Sequence, residues 1–227
     1  MKGFLTGNQL KIIALILMTV DHVGQELFPD QLIFRIIGRL AFPIFAYMIA
    51  EGCTYTKNKK RYLGLMAGLA LVCQLVYFIV MDSLYQCVLV TFSLSICLIY
   101  LVDDTVKKRS GMGIVLLCLS LIGVFYLTEL LPKILTGSTF RIDYDFWGVM
   151  LPVLIYLPKT KWGKLAMAAL GLILLSLSFG SIQWYSLVSL LFLALYNGKR
   201  GPWKMKYLFY VYYPLHLIVI HLIVRCF

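Results

Sequence analysis

The sequence predicts an all-α, polytopic membrane helix bundle of about nine transmembrane helices (range about 8–10) with a cytoplasmic N-terminus. Three observations carry that prediction. The chain is 61% hydrophobic and only 14% charged, with a mean hydropathy of +0.88, whereas soluble domains are about 45–50% apolar and about 25% charged. Its apolar runs recur at roughly the 20 residues that an α-helix needs to cross a bilayer. Its basic loops alternate, the opposite loops holding only Lys133 and Arg141, with Arg225 near the C-terminus.

The nine apolar segments run approximately over 8–27, 32–54, 62–81, 86–103, 112–131, 146–158, 163–180, 183–197 and 206–226. The first carries Asp21 and His22 and is followed by no small-x-small cleavage site, so it reads as a retained helix rather than a signal peptide. The sixth is short and contains Pro152, the pattern of a broken or re-entrant helix. Connections are brief, so neighbouring helices are expected to pack antiparallel. No internal repeat points to inverted halves. These segments occupy nearly all 227 residues, which makes 1–227 one integral membrane domain.

The loops KNKKR (57–61), KKR (107–109), PKTKWGK (158–164) and NGKRGPWKMK (197–206) fall on one side if nine helices alternate. The positive-inside rule makes that side cytoplasmic and places the C-terminus outside. The net charge of +11 is thereby accounted for by topology and anionic lipid, and nucleic acid is not a predicted partner. Cys53, Cys73, Cys87, Cys97, Cys118 and Cys226 form no CxxC pair and no metal-ligand spacing. They read as small hydrophobes, with neither a disulfide nor a metal site.

Ionisable residues inside such segments are functional candidates because burying charge in hydrocarbon is costly. Lys11 and His22 are eleven residues apart in LKIIALILMTVDHVG. On a helix they lie within about 20° of one face and about 16 Å apart along the axis. Asp21 is turned about 100° from His22 and is expected to meet an arginine of the second helix rather than the imidazole. That helix carries Arg35 and Arg39 one turn apart, and Glu51 toward its other end. Running antiparallel, it would bring Glu51 to the depth of Lys11 and Arg39 to that of Asp21 and His22. Gly38 and Pro43 allow close approach and a kink. Two readings remain open: ion pairs that hold helices together, or a polar channel with a cationic floor and a histidine-centred upper chamber.

The last helix adds His216 and His221 beside Pro214. His216 is expected inside the bundle and His221 at a packing or interface position, while the aromatics of 207–213 read as an interfacial belt. Thr91 and Ser93 are further polar candidates. Asp143 and Asp145 either form the outer mouth of the sixth helix or cap it as loop residues. Gln74, Glu129 and Gln183 have no assigned role.

LKIIALILMTVDHVG, RIIGRLAFPIFAYMIAEGCTYTKNKKRY, DYDFWGVMLP, LYNGKRG and KYLFYVYYPLHL together resemble, in order, the TraX family, whose namesake is the F-pilin acetylase. The resemblance implies a membrane acetyltransferase using acetyl-CoA. TraX proteins are in turn similar to the acyltransferase-3 group, which has a basic residue, ten intervening residues and a histidine on the first helix. Lys11 and His22 match that spacing, which implies His22 as the catalytic residue and Lys11 as a CoA phosphate contact. Lysine in place of arginine keeps the charge and loses the bidentate fork.

The expected activity is therefore transfer of an acetyl group from cytoplasmic acetyl-CoA to an extracytoplasmic acceptor, across a bacterial cytoplasmic (inner) membrane. A peptide N-terminal amine is the favoured acceptor and a glycan or small-molecule hydroxyl or amine the next. His22 acts as general base or acyl carrier, with Asp21 and Arg39 beside it and Arg39 or Arg35 at the oxyanion. Lys11, Arg35, Glu51 and His216 line the path of the donor. A transporter using the same intramembrane charges and a non-enzymatic assembly subunit are the alternatives.

Overall fold

The computed structural model describes residues 3–202 and 206–226. Among the described residues it is helical throughout, without a strand. In chain order the helices are α1 (Gly7–Leu27), α2 (Leu32–Gly38), α3 (Ala41–Tyr55), α4 (Lys59–Val80), α5 (Val88–Lys108) and α6 (Gly111–Phe125). A π-turn (Tyr126–Leu130) leads into α7 (Leu131–Ile134), followed by α8 (Asp145–Tyr156) and α9 (Lys161–Phe179). A 3₁₀ segment (Ser181–Val188) continues into α10 (Ser189–Ala194), and α11 (Lys206–Cys226) ends the chain.

Five stretches are long and apolar enough to cross a membrane: Leu32–Tyr55, Lys59–Val80, Val88–Lys108, Gly111–Ile134 and Lys161–Phe179. Asp145–Tyr156, Ser181–Ala194 and Val211–Arg225 are apolar but shorter. Much of α4 and α6 is exposed and apolar, including Leu71, Leu75, Ile79, Ile114, Leu119 and Ile122. Bare surfaces of that kind suit a lipid bilayer rather than water.

The second segment, expected as one helix over 32–54, breaks at Arg39–Leu40. Pro43 then falls in the first turn of α3, where a missing N–H leaves no bond unmade. The fifth segment widens into the π-turn just before Pro132. Pro132 cannot donate to the carbonyl four residues earlier, and a π register absorbs that loss. The eighth, expected over 183–197, runs over Ser181–Ala194 as eight residues of 3₁₀ followed by six of α-helix. At about 2.0 Å per residue for the 3₁₀ part and about 1.5 Å for α10, its fourteen residues reach about 25 Å.

The chain divides into two compact units, Met1–Met48 with Pro158–Phe227, and Ile49–Leu157. In the first, α1 packs on α2 and α11, while the 3₁₀ segment packs on α9, α10 and α2. Leu10, Ala14, Leu172, Leu175 and Leu193 are fully buried there. The start of α1 is closed by a capping box between Thr6 and Gln9 and by a strap from the α10–α11 connection. Gly7 N–H donates to Lys199 O (2.8 Å) and Asn8 N–H to Arg200 O (2.9 Å), so helix-end donors that would otherwise be orphaned are satisfied. Lys161 Nζ donates to the carbonyls of Ala194 (2.7 Å) and Tyr196 (2.8 Å), placing a cation at the C-terminal end of α10.

In the second unit α5 is central and packs on α4, α6 and α8, with Ile96, Ile99, Val149 and Leu151 in the core. Ser95 Oγ donates to Val149 O (2.7 Å) and Thr91 Oγ1 to Asp143 O (2.7 Å), tying α5 to α8 and its entrance loop.

Candidate active site

The first unit brings three polar side chains of α1 against α2 and α11. His22 Nδ1 lies 2.8 Å from His216 Nε2, and the two ring planes lie within 21° of each other with centroids 5.0 Å apart. His216 is 6% exposed, whereas His22 is only partly buried. Tyr212 stacks on the other side of His216 at 5.4 Å, and Tyr213 meets it edge-on at 5.3 Å. One turn earlier on each helix, Thr19 Oγ1 and Tyr212 Oη are 2.5 Å apart. Thr19 donates its proton to Leu15 O (2.8 Å), so the Tyr212 hydroxyl donates to Thr19. The two rungs rise together along the chain, 19 with 212 and 22 with 216, so α1 and α11 run parallel here.

Asp21 is turned to α2, as the helical wheel requires, but its partner is Arg35 at 2.8 Å and not Arg39. The α1–α2 pairing explains this. Gly24 sits under Phe34, and Gly38 sits against Asp21 so closely that a Cβ there would overlap Asp21's own Cβ and Oδ1. That register puts Arg35 level with Asp21 and Gln25, and Arg35 Nη1 donates to Gln25 Oε1 at 2.9 Å. The contact with Asp21 is a charge contact off the N–H direction, not a directed hydrogen bond. Arg39 follows in the turn between α2 and α3 and lies near enough to add to the positive field on Asp21.

Lys11 stands on α1 near the strap, close enough to Arg200 for the two cations to repel. The two positive phi angles of Gly198 and Gly201 let the strap turn tightly around the helix start. Glu51 is buried on the part of α3 that belongs to the second unit. His216, expected as a donor-lining residue, is the direct partner of His22. His221 has a buried Nε2 without a hydrogen-bond partner. Tyr212 and Tyr213, expected as part of an interfacial belt, pack their rings on His216.

The second unit holds polar clusters of a different kind. Tyr85 Oη donates to Asp143 Oδ1 (2.5 Å), and burial followed by the Asp143 charge pushes the Tyr85 hydroxyl well above its ordinary value. Arg141 grips Asp145 through two bonds of 3.1 and 2.6 Å, which raise the guanidinium above its usual range. Both aspartates are thus engaged within the loop and the first turn of α8. Glu129 accepts from Phe146 N–H (3.3 Å), Gln74 donates to Tyr85 O (2.9 Å), and Ser93 bonds back to Leu89 O (2.8 Å). Lys59 pairs with Asp103 (2.5 Å), which also accepts from Tyr156 (2.8 Å). Gln183, in the first unit, is buried with neither side-chain group paired. Among the described residues no three His, Cys, Asp or Glu side chains converge as metal ligands would.

Sequence reasoning missed Thr19, Gln25 and Tyr212 as members of the site. Thr19 lies three residues before His22 and Tyr212 four before His216, spacings that put each on its histidine's face. That signal was available.

A family model described as TraX protein matches residues 6–224. The chain is 27% identical over 237 residues to a probable fimbrial assembly protein FimC, serogroup H1, of Dichelobacter nodosus, covering 93% of each chain. It is 46% identical over 52 residues to an uncharacterized protein of Rickettsia prowazekii (strain Madrid E), covering 23% of this chain and 21% of that protein. No solved structure matches.

Proposed function

The chain belongs to the TraX family, and from that premise we propose that it is a membrane acetyltransferase. It moves an acetyl group from acetyl-CoA, as substrate, to an extracytoplasmic acceptor. The observation that carries this reading is the His22–His216 contact of 2.8 Å, with the inner imidazole buried and the outer one partly accessible. A partly accessible imidazole braced from behind is what general-base catalysis needs. His22 takes the proton that the acceptor nitrogen or oxygen loses as its bond to the acetyl carbon forms. The carbon–sulfur bond breaks in the same transfer, and the thiolate leaves on CoA. Arg35 and Arg39 both bring positive charge to Asp21, and either guanidinium can stabilise the oxyanion. Lys11, Arg200 and Lys199 supply positive charge toward the phosphates of the donor.

A first and last helix that run parallel fit an odd number of crossings such as nine, and the basic loops favour a cytoplasmic N-terminus in a bacterial inner membrane. The fimbrial assembly relative favours a pilin-type peptide amine as acceptor, with glycans next. The test is radiolabelled acetyl-CoA with protein purified into nanodiscs, with and without a peptide bearing a free N-terminus. Transfer or slow hydrolysis is expected, reduced at least about 100-fold in His22→Ala. No turnover by the folded wild-type protein, or full turnover by His22→Ala, would sink the proposal. A folded protein without transfer that still supports fimbrial assembly in cells would favour an assembly subunit.

A further inference from the structure

We infer that His216 is a positioning residue that fixes His22 in a single tautomer, with the proton on Nδ1 and the reactive lone pair on Nε2. The inference deepens the acetyltransferase reading and rests on it for its catalytic meaning.

Hydrogen-bond direction along the chain of contacts leaves one solution for the neutral pair. His216 Nδ1 lies 3.0 Å from the backbone carbonyl of Tyr212. A carbonyl oxygen only accepts, so His216 Nδ1 carries a proton and donates it. In a neutral imidazole the other nitrogen is then an acceptor, and His216 Nε2 presents its lone pair to His22 Nδ1 at 2.8 Å. His22 Nδ1 must therefore be the donor. The proton of His22 is committed to that bond, and Nε2 remains as the bare nitrogen.

The surroundings hold this order in place. The ring of His216 meets His22 edge to edge in nearly the same plane, lies nearly parallel to Tyr212, and is met at its edge by Tyr213. Tyr212 is anchored through its hydroxyl to Thr19, which is anchored to Leu15 O. Rotation of the His216 ring would break both of its nitrogen contacts while it is buried. The pair thus does with two imidazoles what a carboxylate does behind a catalytic histidine: it selects the tautomer and the orientation. It also offers a second home for charge. When Nε2 of His22 gains the acceptor's proton, the Nδ1 proton can pass to His216 Nε2. His22 is then neutral and protonated on Nε2, and His216 holds the positive charge with its Nδ1–H still on the Tyr212 carbonyl.

The experiment is ¹⁵N NMR of histidine-labelled protein in nanodiscs, assigned with single-histidine variants, together with kinetics. The wild-type spectrum should show His22 protonated at Nδ1 and bare at Nε2. His216→Leu should return His22 to the Nε2–H form preferred by free imidazole. It should lower kcat at least about 100-fold with KM for acetyl-CoA within about twofold. His216→Gln keeps a side-chain carbonyl that can accept from Nδ1–H, so it should retain the wild-type tautomer and part of the rate. A wild-type His22 protonated at Nε2, a tautomer unmoved by His216→Leu, or equal rates for the Leu and Gln variants would overturn the inference. The spectrum needs no turnover, so an inactive wild-type protein would remove the enzyme reading while the tautomer stood or fell on the spectrum alone.

Discussion

The two compact units use polar groups in opposite ways. In Ile49–Leu157 several charged groups lie toward helix ends and meet a complementary partner. Arg141 closes on Asp145, Lys59 and Tyr156 close on Asp103, and Tyr85 closes on Asp143. These contacts fasten loops to helix ends and leave little to react. In the first unit the titratable groups sit well inside α1 and α11. They form a directional chain from the Tyr212 carbonyl through His216 to the partly exposed His22. The same apolar background supports both. What separates a fastening from a site is whether the hydrogen-bond chain closes on itself or ends on an unused lone pair.

The largest test of that contrast is charge removal. Arg35→Leu strands Asp21 in the α1–α2 interface and should cost about 3 kcal/mol, the size expected when one partner of a largely buried pair is lost. The Asp21→Leu, Arg35→Leu double variant should recover most of it, because neither charge is then left alone. Reversible unfolding in detergent measures both. If Arg35→Leu costs no more than the far more exposed Lys108→Leu, whose pair with Asp104 spans 3.9 Å, then the α1–α2 pair is no more than surface decoration.

Next in size is a pair of glycine substitutions. A Cβ at Gly38 would overlap Asp21, whereas one at Gly68 on α4 would meet nothing within 4 Å. Gly38→Ala should destabilise by about 1–3 kcal/mol, because two helices must separate. It should slow acetyl transfer as well, since α1 carries both Asp21 and His22. Gly68→Ala should be neutral or stabilising by up to about 1 kcal/mol, through helix propensity alone. Opposite signs in a thermal-shift experiment are the expected result. Equal signs would mean that the close α1–α2 approach is not what Gly38 serves.

Much of this was legible in the sequence because hydrocarbon length and helical angle are local quantities. All nine apolar runs are helical, and the turn of Asp21 away from His22 followed from 100° per residue. The identity of Asp21's partner did not follow. Arg35 and Arg39 share a face, and only the seating of Gly24 under Phe34 and Gly38 under Asp21 selects between them. That is a matter of interhelical register, to which pattern is blind. The break at Arg39–Leu40 follows Gly38 and precedes Pro43, and the 3₁₀ run from Ser181 follows Gly180; these residues permit a kink or a stop and do not set whether the chain resumes as α or 3₁₀. His216 could be placed inside the bundle, but its pairing with His22 depends on α1 and α11 meeting, a contact 194 residues apart in sequence.

The smallest expected effect separates the two units most cleanly, because it holds energy constant and varies only function. Thr19→Val removes the hydroxyl that receives the Tyr212 proton, and Tyr156→Phe removes one of the donors to Asp103 while Lys59 keeps the other oxygen. Thr19→Val deletes two partly buried neutral hydrogen bonds of about 1 kcal/mol each and Tyr156→Phe one to a carboxylate worth about 1.5–3 kcal/mol, so unfolding experiments should rank them alike. Their consequences diverge at the histidines. Freed from Thr19, the Tyr212 ring no longer pins His216 from behind, and acetyl transfer should fall by a few-fold with KM unchanged. Tyr156→Phe touches only a fastening and should leave transfer at the wild-type rate. If both variants reduce transfer equally, activity follows global stability, and the open chain of the first unit has no role of its own.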